Sequence, residues 1–344
     1  MKIIVDAMGG DNAPLEIVKG ALAGQKHWGV DIALTGDESA IRDALAQCGQ
    51  GELPQGVEIV PTSQTVDMCD DPATVFRRKK DTSMGVGLTM LREGKADALV
   101  SAGSTGALLT GATLITKRIH GIRRAAMAPV IPTTTGQAVL IDCGANADCK
   151  PDYLVQFALM GQAYMKGVMG IANPKVGLLN VGAEDEKGNE LCKAVFPLLK
   201  DHPGVNFYGN VEARDVLTGV VQVIVCDGFS GNILLKSTEG AAQLIFGKLK
   251  KGLMSSVRSK LGALMVKPAL KTVKNELDYE QYGGAALLGV KGALVKAHGS
   301  SKGHAYACAI AQAHTMVKGG VVGIIAQSLE ESGADSDKAD QKEE

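Results

Sequence analysis

The chain has 344 residues, and 36 basic side chains set against 37 acidic ones leave a formal net charge of −1 at pH 7. That balance argues against a protein built to wrap nucleic acid, which needs a strong basic excess. With 45% hydrophobic and 21% charged residues it is a folding, globular composition, and only 4% aromatic content leaves no platform for stacking bases.

Short β-branched runs alternate with helical patterns along most of the chain, the signature of βαβ units around a mainly parallel sheet. Strands are predicted at Lys2–Asp6, Asp31–Thr35, Val57–Val60, Ala98–Ser101, Met127–Ile131, Ala138–Asp142, Val176–Val181, Val205–Tyr208 and Val221–Cys226. Several of these are apolar on both faces, as a sheet covered by helices on each side requires. Helices are predicted at Pro14–His27, Glu38–Gln47, Met84–Glu93, Thr105–Thr116, Tyr153–Lys166, Asn189–Lys200 and Asn232–Lys251. Pro14 suits a first helical turn, where its missing N–H costs nothing. Residues 1–331 are expected to form a single α/β/α catalytic domain, since no low-complexity linker divides them. Residues 332–344 are polar and acidic, without apolar period, and read as a disordered tail. Met1-Lys2-Ile3-Ile4-Val5-Asp6 meets an acid too early for a secretory leader, and no apolar stretch reaches the ~20 residues that span a bilayer. The seven cysteines contain no C-x-x-C and do not pair with histidines at zinc spacings, so free thiols and no metal site are expected.

Glycine stands at 43 residues, about one in eight against a usual ~7%, and it clusters where strands end. Asp6-Ala7-Met8-Gly9-Gly10-Asp11, Ser101-Ala102-Gly103-Ser104-Thr105-Gly106, Asp142-Cys143-Gly144-Ala145-Asn146 and Asp227-Gly228-Phe229-Ser230-Gly231-Asn232 repeat one design. An apolar strand runs into Asp or Ser, then glycine and small polar residues, then a helix. In a parallel sheet all such turns gather at the carboxyl edge of the strands, where glycines let a ligand approach the backbone and helix N-termini face an anion. Geometry and capping alone explain any single turn of this kind, but four together point to phosphate or a phosphorylated group. The binding residues expected there are Gly9, Gly10, Gly103, Ser104, Thr105, Asn146, Ser230 and Gly231. There is no G-x-G-x-x-G after a strand, no G-x-x-x-x-G-K-[ST] and no G-x-S-x-G. An anion site without a nucleotide fingerprint suggests inorganic phosphate or a small phosphate ester, and no cofactor.

Taken together, Val5–Asp11, Arg77–Met84, Val100–Ala107, Asp142–Cys149, Asn180–Gly182, Cys226–Asn232 and Lys296–Gly299 resemble, in order, the bacterial acyl-ACP:phosphate acyltransferase family. The resemblance implies a phosphotransacetylase/isopropylmalate dehydrogenase-like, three-layer α/β/α fold with a mostly parallel sheet, and a homodimer. It implies transfer of a fatty acyl group from acyl carrier protein to inorganic phosphate, and a membrane glycerol-3-phosphate acyltransferase that consumes the acyl phosphate. It also implies a catalytic lysine in the segment after the strand ending near Val181, which favours Lys187 over the alternative of a solvated loop lysine. Asn232 is expected at a helix start, as a donor to the thioester carbonyl or phosphate, or else as a plain N-cap. Cys143 and Cys226 offer a rival covalent route, but each adjoins an aspartate that disfavours a thiolate, so both are expected to be structural. A phosphate acetyltransferase using coenzyme A, and a noncatalytic acyl-carrier or lipid-binding regulator, are the alternative readings.

From Lys248 to Lys274 there are eight basic residues and no acid, with Leu249, Leu253, Val257, Leu261, Leu264 and Met265 at helical spacing. The segment 246–276 is therefore expected to be a basic amphipathic helical protrusion, bent or broken at Pro268. Leu253, Val257, Leu261 and Leu264 would touch an anionic membrane surface or pack on a dimer mate. The cluster Arg77, Arg78, Lys79, Lys80 would steer docking of the acidic carrier protein, or present a solvated face.

Overall fold

A computed structural model describes residues 1–276 and 282–332. The chain begins with β1 (Lys2–Asp6), α1 (Leu15–Trp28), β2 (Asp31–Gly36), α2 (Glu38–Gln47) and β3 (Val57–Pro61). A short helix α3 (Val75–Arg78) precedes α4 (Ser83–Arg92), β4 (Ala98–Ser101) and α5 (Thr105–Gly111), which continues as a wider π turn through Thr116. Next come β5 (Ala126–Thr133), β6 (Gly136–Ile141), α6 (Pro151–Met169), β7 (Val176–Asn180), α7 (Glu190–Lys200), β8 (Phe207–Glu212) and β9 (Val223–Val225). The long helices α8 (Gly228–Leu253) and α9 (Val257–Glu276) lead to β10 (Ala285–Leu288), β11 (Ala293–Lys296), α10 (Gly303–Lys318) and α11 (Val321–Glu331). The expected tail lies, beyond Ser332, outside the described residues.

Among the described residues eleven strands form one sheet in the order β3-β2-β1-β4-β11-β10-β5-β6-β9-β7-β8. Most pairings are parallel, as the sequence predicts, but β10 is antiparallel to both its neighbours and β6 is antiparallel to β5. Alternating side chains feed the two faces. Ile3 and Val5 of β1, with Val139 and Ile141 of β6, join the core under α1, α6 and α10. Ile4 packs instead with Leu88 and Leu108 of α4 and α5, and Leu140 packs near Leu235 of α8. This period-two division is why these runs are apolar throughout and why helices must cover both faces.

Three local expectations change. Pro14 sits at the cap position before α1 rather than inside its first turn. The chain between α8 and α9 breaks at Met254–Ser256, while α9 runs through Pro268. Asn232 does not start a helix: Asp227 caps α8 by accepting from the Ser230 amide at 2.8 Å, which puts Asn232 in the second turn.

Candidate active site

The strand directions divide the glycine turns between two rims. Strands β1, β4 and β11 are parallel to one another, so the turns after Asp6, Ser101 and Lys296 share one edge. Strands β6, β9 and β7 run the opposite way, and their turns, after Ile141, Val225 and Asn180, share the other edge. The single rim expected from sequence is thereby overturned. Gly9, Gly10, Gly103, Ser104 and Thr105 lie on the first edge, and Asn146, Lys187, Ser230, Gly231 and Asn232 on the second.

The first rim is organised around a buried carboxylate. Asp6 accepts from the hydroxyls of Ser83 and Ser101, both at 2.6 Å, and so ties the end of β1 to β4 and to the start of α4. Burial pushes its pKa up against these hydrogen bonds. Gly9 and Gly10 pack directly on Ala102 and Gly103; a side chain at Gly9 would meet Asp6 Oδ2 at 2.6 Å and the Gly103 nitrogen at 2.7 Å. Nearby, Lys296 is buried and donates to the carbonyls of Ala102 and Ala297. Burial lowers its pKa to about 8, with Asp6 and Asp11 opposing the shift. Sequence reasoning noted Lys296 only within a motif; a lone lysine ending an apolar strand was the available signal.

The second rim has the same device with a different outcome. Asp142, fully buried, accepts at one oxygen from the Met127, Cys143 and Ala145 amides at 2.9, 2.6 and 3.2 Å. At the other it accepts from the backbone and side-chain nitrogens of Asn146 at 2.6 and 2.9 Å. Burial raises its pKa, and these donors pull it back down. The first turn of α8 lies against this turn: a Cβ at Gly228 would stand 2.6 Å from the Asn146 carbonyl oxygen, and one at Gly231 would collide with that of Asp142. These glycines are therefore required by close approach, whatever they bind.

The loop from Val181 to Asn189 arrives beside that helix because β7 is the direct neighbour of β9. Two amides hold it: Asn180 Nδ2 donates to the Lys187 carbonyl at 3.0 Å and Asn210 Nδ2 to that of Glu184 at 2.7 Å. The stem of Lys187 crosses Gly182, where a Cβ would be 3.0 Å from Lys187 Cγ. Asp185, two residues before Lys187, pairs with Lys200 at 3.0 Å. Among the described residues the Lys187 ammonium has no ion-pair partner.

Not every expected ligand keeps its donors available. The Asn146 amide is committed to Asp142 and to the Ala125 carbonyl, and the Ser230 hydroxyl donates to Asp227 at 2.9 Å. Of the expected ligands on this rim, Lys187 and Asn232 remain as exposed donors. Neither has a side-chain hydrogen bond among the described residues. The thiols are unsuited to attack. Burial and the neighbouring Asp142 drive Cys143 up to about 12, and the fully buried Cys226 donates to the Asp142 carbonyl at 3.4 Å. At neutral pH a thiol with so high a pKa is almost wholly protonated. Cys143→Ala is therefore expected to keep steady-state turnover within about threefold, and a well-folded but inactive variant would implicate the thiol after all.

A family model described as fatty acid synthesis protein matches residues 1–323. The chain belongs to that family. A phosphate acyltransferase of Alkaliphilus oremlandii is 48% identical over 335 residues, covering 97% of this chain and 99% of the relative. One of Brevibacillus brevis is 50% identical over 334 residues, covering 96% and 98%. Among solved structures, a phosphotransacetylase from Streptococcus pyogenes superposes with a TM-score of 0.59 at 17% identity, over 96% of this chain and 94% of that one. At that identity the likeness speaks for the fold, and it is the phosphotransacetylase-like sheet that the motifs implied.

Away from both rims, the basic segment is only partly packed. Val257, Leu261, Leu264 and Met265 of α9 are exposed at 75, 61, 68 and 83%, while Leu253 is half-buried. On α3 and after it, Lys79 is tied to Asp67 and Asp70 at 2.8 and 2.6 Å, and Arg77, Arg78 and Lys80 face solvent. Among the described residues no single helix is long and apolar enough to cross a membrane.

Proposed function

We propose that the chain moves a fatty acyl group from the thioester of acyl carrier protein to inorganic phosphate, giving an acyl phosphate for phospholipid synthesis. The observation that carries this reading is the pairing, on one rim, of an unpaired lysine on a tethered loop with an unpaired amide on the adjoining α8. Phosphate is held by Lys187 and by the positive end of α8. Its oxygen attacks the thioester carbonyl, forming the C–O bond of a tetrahedral intermediate, and the C–S bond breaks when that intermediate collapses to the acyl phosphate. Asn232 donates to the oxyanion of the tetrahedral intermediate. The thiolate of the carrier leaves with a proton from the phosphate. Such a route calls on positioning and charge, which Lys187 and Asn232 supply, rather than on a covalent acyl-enzyme. The Gly9–Gly10 and Gly103–Thr105 turns on the far rim act in this reading as framework, with Lys296 and Asp6 locking them.

A single catalytic domain over 1–331 is part of the same reading, with 246–276 as its protrusion. The exposed apolar side chains of α9, ringed by cations, suit an anionic membrane surface or a dimer mate, which would place the cytoplasmic enzyme beside a membrane acyltransferase that uses its product. Arg77, Arg78 and Lys80 would steer the acidic carrier protein. Flotation with vesicles containing anionic lipid is expected to carry the protein upward, and Leu261→Glu to abolish this; if neither floats, membrane contact is refuted. The central experiment mixes palmitoyl carrier thioester with phosphate and looks by mass for palmitoyl phosphate, with acetyl-coenzyme A as comparator. Palmitoyl phosphate formed only with the carrier thioester supports the proposal, and acetyl phosphate alone overturns it.

A further inference from the structure

The β5–β6 turn lies at the edge opposite Asp142, and over it lies a half-open cavity of about 1200 Å³. Ordinary small-molecule pockets hold ~300–1,000 Å³, so this is a large space. Its walls are mostly apolar: Ile131 of β5, Met165 of α6, Leu235, Ala242 and Phe246 of α8, and Val273 of α9. The α8 contribution is a stripe. Leu235, Glu239, Ala242 and Phe246 recur at steps of three and four, are half-buried, and share a helix face with Asn232. Polarity changes along that stripe. Near Asn232, Lys236 and Glu239 form an ion pair at 2.8 Å, and the Lys236 charge bears on Cys143 of the second rim. Farther along, only Ala242, Gln243 and Phe246 line the wall from this helix.

We propose that this cavity binds the hydrocarbon chain of a long-chain acyl donor, with its carbonyl at Asn232 and its methyl end between Ala242 and Phe246. This rests on the acyl-transfer reading and adds to it a site for the substrate's tail. Lengths agree. A fatty chain spans about half of the ~30 Å hydrocarbon core of a bilayer, ~15 Å. The helix rise carries Asn232 to Ala242 over ~15 Å and to Phe246 over ~21 Å. The ion pair near Asn232 and the mostly apolar lining beyond it suit a thioester head and an alkyl tail. Each methylene buried there is worth about fourfold in binding or in kcat/KM, so donors that fail to reach the pocket are poorer substrates.

The test has a binding arm and a kinetic arm. Hexadecyl phosphate and octyl phosphate, each below its micelle threshold, are titrated into the full-length protein by calorimetry. The wild type should bind the longer chain at least about tenfold more tightly, and Ala242→Trp, which fills the far end, should remove that difference. With acyl carrier thioesters, the same variant should lose at least about tenfold in kcat/KM for sixteen carbons and change less than threefold for eight. Phe246→Ala, which enlarges the pocket, should tolerate longer chains than the wild type and guards against misfolding of the tryptophan variant. Equal binding of the two alkyl phosphates by the wild type overturns the proposal. So does a changed oligomeric state in Ala242→Trp with an unaltered chain-length profile, which gives the cavity to a second copy. Chain-dependent binding that Ala242→Trp removes, without turnover of any thioester, supports the tail site while refuting the transfer reading.

Discussion

Lys187→Ala is expected to lower kcat by ~10²–10³-fold, the loss usual when one preorganised charge or donor at a developing anion is removed. Thermal stability should hardly move, because Lys187 is exposed and its removal orphans no buried partner. The loop itself stays in place, since it is its backbone carbonyls at Glu184 and Lys187 that Asn210 and Asn180 hold. Two companion variants sharpen the result. Asn232→Ala should fall in the same range if it donates to the oxyanion. Gly182→Ala keeps the ammonium but crowds its stem, already 3.0 Å from where the new Cβ would stand, and should give an intermediate loss. Steady-state acyl phosphate production checks all three, and a Lys187→Ala enzyme retaining more than a tenth of wild-type turnover would remove the lysine from the reaction.

Asp142→Ala should have the largest effect on folding. It strips one acceptor from five donors around a buried carboxylate, and orphaned buried donors each cost ~1–3 kcal/mol. A loss of at least ~3 kcal/mol is expected. Asn at this position is little better, since its NH2 would face two N–H groups of Asn146. The effect has a definite pH dependence. Burial raises the native pKa of Asp142 above its unfolded value of ~3.9. As pH falls through that window the native state takes up the proton first, so the wild type gains stability that the alanine variant lacks. The difference in unfolding free energy should therefore widen on acidification, as denaturant titrations between neutral pH and pH 4 would show. A constant or narrowing gap would mean that the hydrogen bonds outweigh burial.

Much of the fold was readable because its punctuation is local. β1 and β4 have the limits the sequence predicts, since each is an apolar run closed by Asp or Ser ahead of glycine. The misreading of the rims came from a property no local pattern encodes, the direction of one strand relative to another. β10 and β11 read Ala-Ala-Leu-Leu and Ala-Leu-Val-Lys, four residues each with little β-branching; β10 opposes both its neighbours, and the antiparallel β5–β6 pair then leaves β6, β9 and β7 running against β4 and β11. One clue was present. Only Thr134 and Thr135 separate β5 from β6, and two residues can join antiparallel strands but never parallel ones. That Lys187 and Asn232 lie toward one rim was partly visible, as both follow strand ends; that β7 and β9 are neighbours was not. Asn180 was noted only within a motif and Asn210 not at all, because tethering a loop needs only an amide in the right place.

The insertion of β10 and β11 between β4 and β5 also bears on how the protein is made. The strands flanking this gap lie within the first 133 residues, whereas the pair that closes it ends at Lys296. On the ribosome, β4 and β5 wait with unsatisfied edges until most of the polypeptide has emerged, and open edges of this kind invite mispairing. Closure between segments so distant in the chain is slow. Nascent chains that stop short of residue 296 are therefore the ones most in need of a chaperone.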